Sequence, residues 1–252
     1  MILSERLEKI IETVPDCETA ADVGCDHGYV PIELIKRGKA LHVTAADVNP
    51  GPLKAARENI SAAGVSDRID TALSDGLLSI DIPECIIISG MGGRLMRDIL
   101  SFTPTGSKRE TGAGKEFSLS KCRYLILSPQ SEPDTVRRFL IEEINFEITE
   151  EKMVRDDGKF YVIIKAENKG SSENRLSPYK NEADFKYGKR LMEGRDEVFS
   201  EYLSALAGKY EGIISEMEKH PSSERAMAEL SRIKREYDEL QAIRRDRERK
   251  SL

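Results

Sequence analysis

A glycine-containing loop near the N-terminus carries the residue types of a nucleotide-binding site. The segment ADVGCDHGYVP, residues 21–31, indicates the end of a buried strand, a loop and the start of a helix. A glycine has no Cβ, so Gly24 and Gly28 allow the backbone to lie close against a bound molecule. Dinucleotide-binding loops have the spacing G-x-G-x-x-G, whereas Asp26 and Tyr29 occupy the second and third glycine positions here. The loop therefore predicts a ligand that bears a nucleoside but no pyrophosphate.

Acidic residues at the ends of the next predicted strands extend this candidate site. Asp22 ends the first strand, and we expect its carboxylate to accept hydrogen bonds from the loop or from an amino group of the ligand. Asp47 ends the second strand about 20 residues after the loop, an interval that suits a carboxylate bound to both ribose hydroxyls. Val48 follows it, and Asp75-Gly76 follows the third strand, where a simple turn is the alternative interpretation.

The loop after the fourth predicted strand, residues 89–93, is where we expect the reactive group of the ligand. Its glycines allow close backbone approach and Met91 offers an apolar wall, although such a turn can also merely start a helix. Gln130 follows the fifth strand and adds an amide. Asp26 and His27 lie in the first loop, which would face both ligand and acceptor, although a lone histidine is more often structural.

The composition describes a polar chain of 252 residues, with 39% apolar and 33% charged residues and a net charge of −6. No run of about 18 apolar residues predicts a membrane span, and the N-terminus lacks the features of a signal peptide. Four scattered cysteines without a C-x-x-C pair indicate reduced thiols in a cytoplasmic protein and no metal site. Since the chain is acidic, nucleic-acid binding would need local basic patches.

Residues 1–168 alternate β-rich and helical runs, which predicts a doubly wound α/β domain. Ser4 is expected to cap an opening amphipathic helix. Two late strands around an Asp157-Gly158 turn predict an antiparallel hairpin that closes a seven-stranded sheet. This Rossmann-like layout is typical of class I methyltransferases, whereas dinucleotide-binding domains usually lack the hairpin. The other predicted strands cover 19–23, 41–46, 68–73, 84–89 and 123–128, and predicted helices lie near 31–37, 52–62, 92–101 and 133–143.

Residues 169–252 form the second predicted domain, a helical coiled coil. Apolar residues recur at heptad-compatible spacing on both sides of Pro221, with interruptions near Gly188 and Asp196. Pro221 is expected to end the first helix and a serine to cap the second. Because the turn is short, the two helices are predicted to run antiparallel as a hairpin about 40–50 Å long.

Basic residues that could contact phosphates are scattered along the chain. The polar insertion at 104–116 predicts a mobile loop near the active face. For the terminal segment a solvated helix face is an equally valid interpretation, since acids alternate with the basic residues there. The candidates are Arg94, Arg97, Lys108, Arg109, Lys115 and the run 244–250.

Four motifs together resemble one family. The segments ADVGCDHGYVP, ISGMGGRLM, LSPQ and RDDGKFYVI are similar to those of the bacterial tRNA adenine-N1 methyltransferases that modify the adenine at tRNA position 22. The resemblance covers about residues 1–165, and the helical remainder matches the family's coiled-coil domain in pattern. Gln130 departs from the asparagine that the family often has at this position, but both side chains are amides. The insertion at 104–116 is also longer than expected.

The resemblance implies S-adenosyl-L-methionine as cofactor and methyl transfer to N1 of an adenine in tRNA. The chain lacks the Asp/Asn-Pro-Pro-aromatic motif of enzymes that methylate exocyclic adenine nitrogens. We expect tRNA as partner, no membrane, no metal, and a monomer with weak dimerisation left open. The alternatives are a methyltransferase for a protein or a small molecule, and a non-catalytic coiled-coil protein with a degenerate cofactor fold. Expected cofactor-binding residues are Asp22, Gly24, Gly28, Asp47, Val48, Asp75, Gly76, Gly90 and Met91, and expected catalytic residues are Asp26, His27, Met91, Gly92 and Gln130.

Overall fold

The computed structural model describes residues 3–102, 118–170, 178–219 and 223–251. The chain divides into two compact units, Met1–Lys180 and Asn181–Leu252. The domain boundary expected at 168/169 remains a prediction, while the first unit extends to Lys180 because Tyr179 is buried in it. The predicted loop at 104–116 lies outside the described residues.

The first unit is built on a seven-stranded sheet with the order β3-β2-β1-β4-β5-β7-β6. β1 to β5 are parallel to one another, and β7 runs antiparallel to both β5 and β6. This confirms the predicted class I methyltransferase layout. β4 and β5 are buried apolar runs, as expected of central parallel strands covered on both faces. The strands are β1 Cys17–Val23, β2 Ala40–Asp47, β3 Ile69–Leu73, β4 Cys85–Ser89, β5 Tyr124–Ser128, β6 Phe146–Asp156 and β7 Lys159–Asn168.

The β6–β7 hairpin closes through the predicted Asp157-Gly158 turn. Both residues have positive φ, 47° at Asp157 and 73° at Gly158. A two-residue turn with this geometry matches the right-handed twist of the flanking strands. The hairpin strands are longer than the sequence indicated, with an irregular register between Ile148 and Glu150.

Helices cover the sheet, and those predicted between the strands begin within two residues of the expected positions. Ser4 caps the first helix, because its Oγ accepts a hydrogen bond from the Leu7 N–H at 3.3 Å. The helix expected at 133–143 differs from the structure, in which an α-helix ends at Arg138 and a π-helical turn continues through Phe139–Glu143. The helices of this unit are α1 Glu5–Thr13, α2 Tyr29–Lys36, α3 Pro50–Ala62, α4 Gly93–Leu100 and α5 Pro133–Arg138, with a 3₁₀ turn at Leu119–Lys121.

A buried ion pair fastens α5 to the hairpin. Arg137 Nε donates to Glu151 Oε1 at 2.6 Å, and both side chains are at most 2% exposed. The Tyr179 hydroxyl donates to Glu151 Oε2 at 3.2 Å. Taking two charges out of water is costly unless they are paired, so removing either partner should be strongly destabilising.

The second unit contains the predicted pair of long helices, α7 Glu197–Lys219 and α8 Glu224–Ser251. The interruption at Asp196 is a true boundary, because Asp196 Oδ1 accepts the Phe199 N–H at 2.8 Å and caps α7. A π-helical turn at Asp184–Gly188 and the short α6, Lys189–Glu193, precede it. Ser223 caps α8, since its Oγ accepts the Ala226 N–H at 3.2 Å. The predicted turn around Pro221 lies outside the described residues.

Cross-helix contacts confirm that α7 and α8 are antiparallel. Arg244 reaches Ser204 at 3.4 Å, Tyr210 donates to Glu236 at 2.8 Å and Lys234 pairs with Glu218 at 2.6 Å. Residue numbers increase along α7 while the numbers of their partners on α8 decrease. At 1.5 Å per residue the helices are about 35 and about 42 Å long, so the first is shorter than expected.

One arginine of the basic C-terminal run has an internal role. Arg247 donates to the backbone carbonyls of Gly194 at 2.7 Å and Asp196 at 2.9 Å, and its guanidinium lies over the Phe199 ring. These contacts hold the segment that leads into α7. Arg247 is therefore an exception to the expectation that the whole run 244–250 is available to contact phosphates.

Candidate active site

A cavity of about 580 Å³ lies at the carboxyl ends of β1 to β4. This is where open α/β sheets bind ligands, and the volume is in the range of small-molecule sites. The loops that follow β1 to β5 all contribute residues to its lining. Eleven of the expected site residues line it, namely Asp22, Gly24, Asp26, His27, Asp47, Val48, Asp75, Gly76, Gly90, Met91 and Gln130.

Asp47 is held rigidly at the end of β2. Its Oδ1 accepts the Asn49 N–H at 2.8 Å, and its Oδ2 accepts the Asp26 N–H at 3.3 Å. Asp26 adopts a positive φ of 46°, which aims its N–H at this carboxylate. The carboxylate thus ties the β1 and β2 loops together and keeps further lone pairs for a ligand.

Asp22 is a buried carboxyl group at the end of β1, only 2% exposed. Burial raises its pKa to about 7, and the neighbouring charges of Asp47 and Asp26 add to this effect. A carboxylate in such a place is stabilised by a cationic or hydrogen-bond-donating ligand.

Replacing Asp22 by asparagine is expected to stabilise the ligand-free protein at neutral and alkaline pH. The raised pKa means that the folded state holds a proton which the unfolded state releases near pH 4, so wild-type stability falls as pH rises from about 4 to about 7. A pKa raised from 3.8 to about 7 corresponds, at about 1.4 kcal/mol per pKa unit, to a gain of about 4 kcal/mol for Asp22→Asn at pH 8 and almost nothing at pH 4. Urea titrations of both proteins across this range measure the difference, and a pH-independent difference would contradict the expectation.

The β1 and β4 loops interlock through a methionine. Gly24 has a φ of +79°, and a Cβ at this position would overlap the Cε atom of Met91. The methionine side chain therefore occupies the space that a larger residue at 24 would need. Gln130 N–H donates to Met91 O at 2.8 Å, which joins the β5 loop to the same cluster.

Two expected site residues do not line the cavity. Gly28 caps α2 with a φ of +73°, and a Cβ there would stand 3.1 Å from Ala56 Cβ on α3. Gly92 caps α4 and forms a β-bridge with Ser131. Both glycines allow close packing of neighbouring elements, and this packing supports the loops that form the cavity.

Asp26 and His27 lie at the mouth of the cavity. Their side chains are half or more exposed, and His27 Nε2 is 3.7 Å from Asp26 Oδ1. The His27 ring stacks on Tyr29 with ring centroids 5.5 Å apart. Both side chains are therefore open to solvent rather than enclosed at the buried end of the cavity.

Several lining residues were not identified from the sequence. The most informative are Arg6, at the start of α1, and Asp156, at the end of β6. The sequence gives no local signal for either, because α1 is recognisable only from its cap and its apolar stripe. In the described ranges no cluster of three or more His, Cys, Asp or Glu side chains is arranged to hold a metal ion. None of the helices described is both long and apolar enough for a membrane crossing.

Comparison with known proteins agrees with this geometry. A family model described as "Methyltransferase domain" matches residues 3–164, well over half of the chain. The chain belongs to this methyltransferase family. The match covers every strand up to β7 and all the loops that form the cavity.

This methyltransferase is 32% identical over 167 residues to the tRNA (adenine(22)-N(1))-methyltransferase of Bacillus subtilis strain 168. The alignment covers 66% of the chain and 65% of that relative, just under two thirds of its length. The structure of this chain is similar to that of the B. subtilis m1A22 tRNA methyltransferase TrmK, with a TM-score of 0.78 and 25% identity. The similarity covers 96% of this chain and 99% of that one.

A second similar structure contains a ligand. It is a Streptococcus pneumoniae protein in complex with S-adenosyl-L-methionine, with a TM-score of 0.77 and 28% identity. The similarity covers 96% of this chain and 100% of that one.

Proposed function

We propose that this methyltransferase transfers the methyl group of S-adenosyl-L-methionine to N1 of the adenine at position 22 of tRNA. The observation that carries the proposal is the carboxylate-lined cavity at the ends of β1 to β4, in a chain that is 32% identical to a B. subtilis enzyme of that activity. An enzyme that modifies tRNA works where tRNA is found, so we also infer a cytoplasmic location.

The cavity fits a nucleoside-bearing sulfonium without a pyrophosphate. Asp47 and Asp75, at the ends of β2 and β3, would hold the ribose hydroxyls and the adenine amine. Gly24 and Gly90, with φ of +79° and +77°, let the backbone approach the ligand closely. Asp22 would accept hydrogen bonds from the donor's amino group. The bound sulfonium supplies an electrophilic methyl group.

For the acceptor base, alignment of N1 with the methyl group matters more than removal of a proton. Neutral adenine N1 already has a lone pair, so holding it in line with the methyl group supplies most of the rate enhancement. The methylated base is cationic, and the carboxylate of Asp26 at the cavity mouth can stabilise the charge that develops. The Gln130 amide, beside the β4 loop, can hydrogen-bond an edge of the base. His27 and Met91 would form the apolar and aromatic walls around it.

Replacing Asp26 by alanine is expected to lower kcat about 10- to 100-fold with little change in cofactor affinity, because its exposed side chain acts only on the charge of the methylated base. Single-turnover methylation and calorimetry with S-adenosylhomocysteine measure the two effects. Asp70→Ala is the control, because Asp70 is an exposed aspartate near the start of the edge strand β3 and pairs with His42. Full turnover in Asp26→Ala with unaltered cofactor binding would contradict this role.

Exposed basic residues support contact with RNA despite the acidic chain. Arg94 at the start of α4 is 76% exposed beside Glu132. Arg244 and Arg245 lie on α8 in the second unit. Phosphate contacts of this kind make RNA binding strongly dependent on salt.

A methylation assay with position mapping tests the proposal. The full-length protein is incubated with methyl-labelled donor and unmodified tRNA transcript, and the tRNA is digested and analysed by mass spectrometry. We expect one N1-methyladenosine at position 22 and none in a transcript with guanosine there. Label on another base, on protein or on a small molecule would overturn the assignment.

A further inference from the structure

Asp156 brings a carboxylate to the cavity from a different part of the sheet than the other lining aspartates. It is the last residue of β6, just before the turn of the β6–β7 hairpin, and it lines the cavity. In the strand order β3-β2-β1-β4-β5-β7-β6, Asp47 and Asp75 reach the cavity from one half of the sheet and Asp156 from the other half. A molecule bound in the cavity therefore meets carboxylates from both halves of the sheet.

The Asp156 carboxylate is available to a ligand. Among the residues that the structure describes, its side chain makes no hydrogen bond and no ion pair, and its register with Lys159 is a backbone pairing within the hairpin. The Asp47 carboxylate, in contrast, already accepts the N–H groups of Asn49 and Asp26. Asp156 is half-buried, so its lone pairs are partly shielded from water and remain free to accept hydrogen bonds.

The β4 and β5 loops complete this half of the cavity. Gly90 N–H donates to Ser128 O at 3.2 Å and Gln130 N–H donates to Met91 O at 2.8 Å, so the two loops are joined. β5 pairs with β7, and β7 in turn pairs with the strand that ends in Asp156. The exposed Gln130 amide and the Asp156 carboxylate therefore line the same half of the cavity.

The direction of methyl transfer puts the acceptor base in this half. N1 attacks the methyl carbon in line with and opposite to the sulfur, so the N–C bond forms as the C–S bond breaks and its electron pair stays on sulfur. The positive charge passes to the adenine and no proton has to leave. With the ribose bound by Asp47 at the end of β2, N1 approaches from the opposite half, where β4, β5 and the hairpin lie.

We propose that Asp156 accepts a hydrogen bond from the exocyclic amine of the acceptor adenine and thereby selects this base. The inference rests on the proposed methylation of adenine N1. Methylation spreads positive charge onto the amine, so the bond to the carboxylate strengthens along the reaction and raises kcat as well as affinity. Guanine has an oxygen at the same position, which the carboxylate repels. Asp156 thus distinguishes the base, whereas Asp26 acts on its charge.

A comparison of two tRNAs tests this contact in the full-length protein. One tRNA has adenosine at position 22, and the other has purine riboside, which keeps N1 but lacks the amine. The ratio of their kcat/KM values is compared between wild type and Asp156→Ala, because the intrinsic difference in reactivity of the two bases then cancels. We expect the preference for adenosine to be about 10- to 100-fold smaller in Asp156→Ala, as for loss of a hydrogen bond to a charged group. Asp156→Asn keeps the shape and an acceptor oxygen, so it should retain part of the preference.

Glu150→Ala is the matched control, because Glu150 lies on the same strand but does not line the cavity. It should keep the wild-type preference, and calorimetry should give every variant the wild-type affinity for S-adenosylhomocysteine. An unchanged preference in Asp156→Ala would overturn the proposal, even if both rates fell. Loss of the preference in Asp26→Ala but not in Asp156→Ala would overturn it as well and assign the amine to Asp26. If wild type methylates neither tRNA, the proposed function itself fails.

Discussion

Replacing Asp47 by alanine is expected to raise the dissociation constant for S-adenosylhomocysteine at least about 100-fold. Two hydrogen bonds from ribose hydroxyls to a carboxylate would be lost, each contributing about 1.5–3 kcal/mol. The change also removes the acceptor of the Asn49 and Asp26 N–H groups, so the β1 and β2 loops lose their connection. Calorimetry measures the affinity, and circular dichroism confirms that the variant is folded.

Two further variants separate binding from loop order. Asp47→Asn keeps an acceptor for one N–H group but lacks the charge, so its affinity should lie between those of wild type and Asp47→Ala. Asp70→Ala removes an exposed carboxylate one strand away and should bind like wild type. An affinity within about threefold of wild type in Asp47→Ala would exclude Asp47 as the ribose ligand. Loss of its charge should also lower the pKa of Asp22, whose raised value depends partly on Asp47.

Replacing Glu151 by alanine is expected to cost about 3–5 kcal/mol of unfolding free energy. The change removes the carboxylate that pairs with the buried Arg137 guanidinium, and breaking a buried ion pair has a penalty of this order. It also removes the acceptor of the Tyr179 hydroxyl. Since the chain has no tryptophan, urea unfolding is best followed by far-ultraviolet circular dichroism.

A neighbouring residue provides the matched control. Glu150 is a partly exposed carboxylate on the same strand that pairs with Lys152 at 2.8 Å, and Glu150→Ala should cost under about 1 kcal/mol. The double variant Arg137→Met/Glu151→Leu should recover most of the lost stability, because two apolar side chains need no partner. If Glu151→Ala were no more destabilising than Glu150→Ala, the buried pair would have no structural role.

The fold was predictable because its signals are local. Apolar runs such as Ile86–Ile88 mark buried strands, Ser4 marks a helix start and Asp157-Gly158 marks a hairpin turn. Parallel strands bring their carboxyl ends to one edge, so Asp22 and Asp47 could be placed together before any coordinates. The family relationship then follows from the loops that these residues flank.

The remainder of the site depends on contacts between distant segments. Arg6 and Asp156 reach the cavity from α1 and β6, and no spacing in the sequence indicates this. Gly28 resembles a ligand-binding glycine but is required for packing against Ala56. Arg247 sits in a run that indicates phosphate contact, yet its donors bind carbonyls at the start of α7. Charge and residue type alone do not distinguish these cases.

The Met91 side chain overlaps the position that a Cβ on Gly24 would take, and this affects which substitutions the protein tolerates. The two positions share one volume, although they belong to different loops and lie far apart in the sequence. A side chain at position 24 would require the flexible end of Met91 to move, and it would also hold a backbone φ of +79° that residues other than glycine rarely adopt. In engineering, the two positions should be randomised together, since a larger residue at position 24 is accommodated only together with a rearrangement at position 91.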